Sequence, residues 1–379
     1  MDYNKKSLEL HKKRRGKIEI KVKVKIKTKQ DLAIAYTPGV GAVSSAVGKD
    51  KNLSWVYTNR ANQVAIVSNG TAVLGLGDLG PEAAMPVMEG KSVIFKELAG
   101  IDAMPLCIKS KIPDEIVKFC KEIEPSFGGI NLEDIAAPEC FEVLERLEQE
   151  LVIPVFHDDQ DGTAIVVLAA LINAAKVTKK KISSLKIVIN GAGAAGIAIA
   201  RLLVNQKVDD IILLDSHGTI YEGCEGMNPI KCDISLKTNK SKIKGGLHEA
   251  MAGADVFIGV SKGNLLTAEM IKNMAKRPLI FAMANPVPEI MPDLALKAGA
   301  AIVGTGRSDF PNQINNALVF PGLFRALLDY KIRTVTMEMK IAVAQAIASC
   351  VKPRKDKILP DVTDKRVVQA IVRALKKFK

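Results

Sequence analysis

Between residues 17 and 29 (KIEIKVKVKIKTK), apolar and polar positions alternate strictly, which places Ile18, Ile20, Val22, Val24 and Ile26 on one face and mainly lysines on the other. A period of two predicts an amphipathic strand, at a sheet edge where lysines deter further pairing. YTPGV (36–40) follows, with Pro38 and Gly39 breaking regular structure and presenting Tyr36 just before a turn. Across 61–110, the runs VAIVSN, SVIFKEL and AMPLCI predict strands, separated by glycine turns and a short helix near 82–89. Residues 114–124 and 138–150 have helical apolar spacing. VIPVF (152–156) has the composition of a buried strand and runs into HDDQDG, a turn packed with acids. The apolar run 164–175 contains Asn173 and is shorter than the roughly 18 residues a membrane span needs, so it is expected to be a buried helix. From 186 to 304 strand and helix patterns alternate (KIVIN, GIAIARLLVN, DIILLD, ADVFIGV, PLIFAMAN, AAIVGTG), which implies a parallel, doubly wound sheet. The last part, from about 321, is helical.

The predicted class is α/β with two domains, since 379 residues exceed what one core usually organises. The boundaries fall at 1–162 for an α/β domain and 163–320 for a Rossmann-type doubly wound sheet. Helices over 321–379 pack back on the first domain. A hydrophobic share of 48% with 25% charged residues is that of a globular chain. Six scattered cysteines without C-x-x-C pairs fit reduced thiols, and the N-terminus has no apolar targeting core, so the expected location is the cytoplasm. The net charge of +13 could suggest nucleic acid. Residues 1–30, however, carry 12 Lys/Arg against three acids and 352–379 carry ten against three, which leaves the body of the chain slightly acidic. With only 4% aromatic residues to stack on bases, neither a specific nucleic-acid partner nor a membrane is expected.

Two segments match G-x-G-x-x-G. GLGDLG (75–80) precedes Pro81 and an acidic helix and shows no βαβ unit, so it is rejected as a dinucleotide site. GAGAAG (Gly191, Ala192, Gly193, Ala194, Ala195, Gly196) follows the strand 186–190 and opens a helix over 197–205, so its amides and helix N-terminus can meet a pyrophosphate. Gly191 permits the tight turn, Gly193 the close phosphate approach and Gly196 the helix-to-strand contact. Asp215 ends the next strand, 19 residues after Gly196, where a carboxylate bonds ribose hydroxyls. That acid disfavours a 2′-phosphate, and Ser216, His217 and Gly218 bring no arginine, so NAD is favoured over NADP. Two acidic clusters stand apart from the dinucleotide motif: Glu133 and Asp134 in INLEDI, and Asp158, Asp159 and Asp161 in VFHDDQDG. Carboxylates at strand ends are costly to desolvate unless neutralised, and Mg²⁺ or Mn²⁺ with hard oxygen ligands would do so; caps or surface acids are the plainer alternative.

YTPGV, LGLGDLG, PVMEGKSVIFKELAGIDAMP, INLEDI, VFHDDQDGTA, ANPVPEI and NQINNALVFPG together resemble the signature set of the malic enzymes, in order over about residues 30–345. The resemblance implies oxidative decarboxylation of L-malate to pyruvate with NAD or NADP, dependence on Mg²⁺ or Mn²⁺, oxaloacetate decarboxylation, and a homodimer. It makes residues 1–162 the malic domain. It also makes Glu133, Asp134 and Asp159 the metal ligands, Lys91 the general base and Tyr36 the general acid, with Asn285, Asn315 and Asn316 at malate and the nicotinamide. The chemistry suits these types. A lysine lowered in pKa by a cation and burial can take the hydroxyl proton, and a phenol can return one to C3 of enolpyruvate. Otherwise Lys91 is a surface lysine after a glycine turn, Tyr36 a packing residue, Asn285 a turn asparagine before Pro286, and Asn315 and Asn316 helix caps.

The chain departs from the larger malic enzymes where they carry an arginine before LGLGDLG, having Thr71, Ala72 and Val73 there. Asp161 replaces a neutral residue and is expected to cap the following helix. Three rival functions stay open. A malolactic enzyme would release lactate, an amino-acid dehydrogenase would not need the acids, and a non-catalytic nucleotide sensor would keep only the fold.

Overall fold

The computed structural model describes residues 3–379. Strands β1 (Gln63–Ser68), β2 (Asp102–Cys107), β3 (Gly129–Glu133) and β4 (Val155–His157) form a parallel sheet in the order β2-β1-β3-β4. The near-continuous apolar run of β1 suits a strand covered on both faces, and Val64–Val67 are fully buried. A second sheet has the order β10-β9-β8-β5-β6-β7, from β5 (Lys186–Asn190), β6 (Asp210–Asp215), β7 (Gly218–Thr219), β8 (Val256–Gly259), β9 (Leu279–Ala282) and β10 (Ile302–Thr305). All its pairings are parallel except β6 with β7. Strand order reverses beside β5, whose neighbours are β6 and β8, and the crevice at such a switch point is where open sheets bind ligands.

The helix Thr163–Thr178, with most of its residues buried, packs against the helices Ala194–Asn205 and Met337–Ser349. Together with the preceding turn, it forms a 21-residue span long and apolar enough to cross a membrane by length and composition, yet 78% of its apolar window is buried inside the protein. It is a core helix. The C-terminal helix Phe320–Tyr330 packs on the first sheet's layer, with Phe320 4.7 Å from Phe95 and Phe324 6.1 Å from Phe156 between ring centroids.

Three expectations fail. Residues 17–28 form no strand. Ile20, Val22, Val24 and Ile26 are more than half exposed, because no strand in this chain pairs with them. SVIFKEL is helical, part of a single helix Pro81–Ala99 that contains Pro86 and Gly90 and ends at Gly100 in the left-handed region (φ 67°). The residue types allowed either element, and packing on β1 and β2 decided for a helix. GLGDLG does lie in a βαβ unit, β1 to helix Pro81–Ala99 to β2. What unfits that helix for a pyrophosphate is its first turn: Pro81 has no N–H to offer and Glu82 repels an anion.

Candidate active site

Both sheets end at one cavity of about 680 Å³. The first domain supplies Ala72, Leu74, Gly75, Lys91, Glu133, Asp134 and Asp159, and the second supplies Ala195, Val260, Ser261, Ala284 and Asn285. A larger cavity of about 820 Å³ lies behind the Asp158–Gly162 turn; it reaches Asp161 but not Lys91, Glu133, Asp134 or Asp159, so chemistry rather than size marks the site.

Lys91 projects from the middle of the Pro81–Ala99 helix. Its ammonium sits 2.7 Å from Glu133 Oε1, donates to Asp158 Oδ2, and lies 4.8 Å above the Phe320 ring. Burial opposes its charge, but Asp158, Glu133 and Asp159 outweigh burial and hold it above the ordinary lysine value. The lowering expected from the sequence is therefore absent among the chain's own groups: a cation would have to supply it. The acids show the complement of this crowding. Burial, then Asp159, pushes Asp134 up to about 7; burial pushes Asp158 up to about 6; and Glu133 is raised well above the carboxylate range, burial again the leading cause.

Four acids around one lysine leave negative charge that a divalent cation would neutralise. Ligand oxygens of Glu133, Asp134 and Asp159 fall within 4.8 Å of one another, and Asp134 Oδ2 is buried without a hydrogen-bond partner. Three hard carboxylates with an unpartnered oxygen fit Mg²⁺ or Mn²⁺ and leave positions for a substrate and water. Local structure aims them. Asp134 follows β3 in the left-handed region (φ 52°), and its N–H donates to Asp159 Oδ2 at 2.8 Å. Asn131 donates to Glu133 Oε2 at 2.9 Å. Asp158 starts the tight turn before the core helix, and a Cβ on Gly162 would lie 1.9 Å from its Oδ1, so only glycine fits there. Asp161 does not cap that helix; it is bonded to Lys340 at 2.8 Å, which anchors the turn from behind.

At the dinucleotide end, Gly191 turns at φ 124° against the Val260 carbonyl, and a Cβ on Gly196 would stand 1.7 Å from Gly191 O. Nothing lies within 4 Å of a Cβ built on Gly193, which leaves its surroundings open to a ligand. The helix begins at Ala194, three residues before the expected start, so Ala194, Ala195 and Gly196 form its first turn. Asp215 ends β6 and accepts from the His217 N–H at 2.8 Å and from Lys231 at 2.5 Å. These bonds overcome burial and hold its carboxyl below the usual range. Lys231 was not singled out from the sequence; Asn228, capping the helix Pro229–Ser235 through the Lys231 N–H, is the signal that places it there.

Asn285, Asn315 and Asn316 all line the cavity. Asn315 also accepts from the Ala317 N–H at 2.8 Å, the capping role weighed above, while Asn316 packs beside Gly162. Thr71 bridges Asn69 Oδ1 and the Ala136 N–H. Tyr36 is not brought to the cavity of its own chain. It stands 64% exposed at the end of the short helix Lys29–Ala35.

Residues 15–113 and 109–148 match the family model for the malic enzyme N-terminal domain, and residues 160–377 match the malic enzyme NAD binding domain. The chain is 53% identical to the bifunctional malic/malolactic enzyme of Bacillus subtilis, over 100% of this chain and 93% of that one. It is 51% identical to the NAD-dependent malic enzyme of Geobacillus stearothermophilus, over 95% of this chain and 76% of that one. The crystal structure of the NAD-dependent malic enzyme from Thermotoga maritima superposes with a TM-score of 0.94 at 47% identity, covering 97% of this chain and 98% of that one. Other matches are named for NADP.

Proposed function

The chain belongs to the malic enzyme family, and on that premise we propose that it oxidises L-malate with NAD or NADP and decarboxylates the product to pyruvate and CO₂. The observation that carries the reading is Lys91, held between Glu133 and Asp158 at a cavity whose far wall is the dinucleotide crevice.

A divalent ion held by Glu133, Asp134 and Asp159 would acidify the malate hydroxyl and stabilise the enolate left by decarboxylation. With that ion bound and its charge opposing the ammonium, Lys91 as the neutral amine would be the base for the malate hydroxyl proton; Asp158 and Glu133 hold its Nζ in place and stabilise the ammonium that results. Asn285 and Asn316 orient malate and the nicotinamide from the second domain's side of the cavity. Gly191, Gly193 and the first turn of the Ala194–Asn205 helix hold the pyrophosphate, and Asp215 the ribose. NAD is the preferred cofactor on the strength of Asp215. Lys231 beside it offers a cation to a 2′-phosphate, so NADP is accepted as well.

Tyr36 is the proton donor to C3, and its position requires a second copy of the chain. The helices Tyr3–Arg14, Lys29–Ala35 and Val40–Lys49 bury no residue, and Ile20, Val22, Ile34, Val56 and Tyr57 stand exposed along this arm. An apolar surface of that extent marks an interface. The protein is therefore proposed to be a cytoplasmic homodimer whose arm is covered by the partner, with Tyr36 serving the partner's cavity. Mixing Tyr36→Phe and Lys91→Met chains should restore part of the activity each lacks alone; mixtures no better than their components would refute the exchange.

The reading is tested by incubating the protein with L-malate, Mn²⁺ and either cofactor. Reduced cofactor with equimolar pyruvate, lost on chelation, is expected, as is oxaloacetate decarboxylation. Turnover that persists without metal would overturn the mechanism. Lactate without net reduced cofactor would establish the malolactic alternative, which a relative named for both activities keeps in view.

A further inference from the structure

Glu289 is a fully buried carboxylate that the malate chemistry does not use. Its Oε1 accepts from the Ser261 N–H at 3.3 Å and its Oε2 from the Ala284 N–H at 3.1 Å. Its own backbone is pinned in turn: the Leu266 N–H donates to Glu289 O and the Asn264 N–H to Pro288 O, each at 3.0 Å. No lysine or arginine pairs with it among the described residues, and burial pushes its carboxyl up to about 7. A carboxyl kept in such a place needs a use for its acceptors. The chain also makes room for it: β8 ends in Gly259, where a Cβ would lie 2.2 Å from the carboxyl carbon of Glu289.

The two amides it joins belong to different crossover loops, one after β8 and one after β9. Val260 and Ser261 from the first loop, and Met283, Ala284 and Asn285 from the second, line the same cavity. The second loop also reaches the first domain, where the Asn285 carbonyl lies against Gly75. One side chain thus ties together the loops that flank the cavity next to Asn285, at the end away from Asp215.

We propose that Glu289 is a positioning residue for hydride transfer: its carboxylate fastens the Ser261 and Ala284 amides so that the two loops hold the nicotinamide ring in register with malate. The proposal rests on the reading of this cavity as the cofactor and malate site.

The test is Glu289→Gln in the full chain. Glutamine keeps the shape and one acceptor but sets its NH₂ against a backbone N–H, so one loop loses its tie. The dissociation constant of NADH should rise by about tenfold, with a fall in kcat, while that of ADP-ribose, which lacks the nicotinamide, should stay within about twofold of the parent. Glu289→Asp retains both acceptors and should recover part of the NADH affinity; it carries the test if the glutamine variant does not fold. Equal weakening of NADH and ADP-ribose, or no change in either, would overturn the positioning role alone. Failure of the parent chain to bind either ligand would overturn the cofactor reading and the proposal with it.

Discussion

The two walls of the cavity work by opposite means. The first domain's wall is crowded with charge: Lys91, Glu133, Asp134 and Asp158 are all largely buried within one cluster. The second domain's wall is built mainly of backbone: two loops joined through Glu289 line it, and the turn Gly191–Gly196 with its helix start adjoins it through Ala195. A charged wall depends on which groups are ionised, whereas a backbone wall depends on shape. The difference teaches that substitutions on the first should act through ionisation and metal, and on the second through sterics and cofactor affinity.

The largest effect is expected from Lys91→Met. Removing the proposed base should lower kcat by about 1,000-fold, while NADH binding, measured by fluorescence titration, stays near the parent's because no wall of the dinucleotide crevice changes. A comparable loss of NADH affinity would show that the walls are not separable. Gly196→Ala makes the reverse cut. Its Cβ would collide with Gly191 O, so the turn must open, with a loss of NADH affinity of about 30-fold. Mn²⁺ affinity should be unchanged, and its loss would mean that the turn supports both walls.

The same contrast governs how much could be read from the sequence. GAGAAG was legible with its strand, helix and Asp215 because shape-based recognition is local, contained between Lys186 and Asp215. The acids of the candidate metal site were visible as clusters after strands. Their dependence on Lys91 was not, since 67 positions separate Lys91 from Asp158, and only the approach of the Pro81–Ala99 helix to the β3 and β4 ends joins them. Lys231 and Lys340 were missed for the same reason: each meets its acid through tertiary packing. The alternation at 17–29 is regular in the sequence, and the structure forms no strand there and leaves residues 18–28 exposed. A period of two says which side chains share a face, however, and cannot say whether the chain itself contains a strand to pair with. Within one chain it does not, and Tyr36 follows on that same uncovered arm.

A smaller effect should appear in the pH dependence of metal binding. Asp134 is raised to about 7, so below that pH it holds a proton that an incoming ion must displace. Mn²⁺ affinity, followed by electron paramagnetic resonance of the free ion, should therefore be greatest above pH 7. It should fall by about tenfold per unit below it for each proton displaced. In Asp134→Asn the affinity should be lower throughout and the slope shallower. An unchanged slope would assign the proton to Glu133 or Asp158.

The smallest effect tests a charged contact beside the dinucleotide turn. Lys231 neutralises Asp215 at 2.5 Å, with side chains 21% and 17% exposed, so the pair is partly screened and worth little on its own. In Lys231→Ala the carboxylate faces the ribose unopposed. It still accepts from a 2′-hydroxyl but repels a 2′-phosphate, so the KM for NADP should rise about fivefold while that for NAD holds or improves. A ratio of the two KM values that does not move would mean that Lys231 only steadies Asp215, and that the carboxylate alone sets the choice of cofactor.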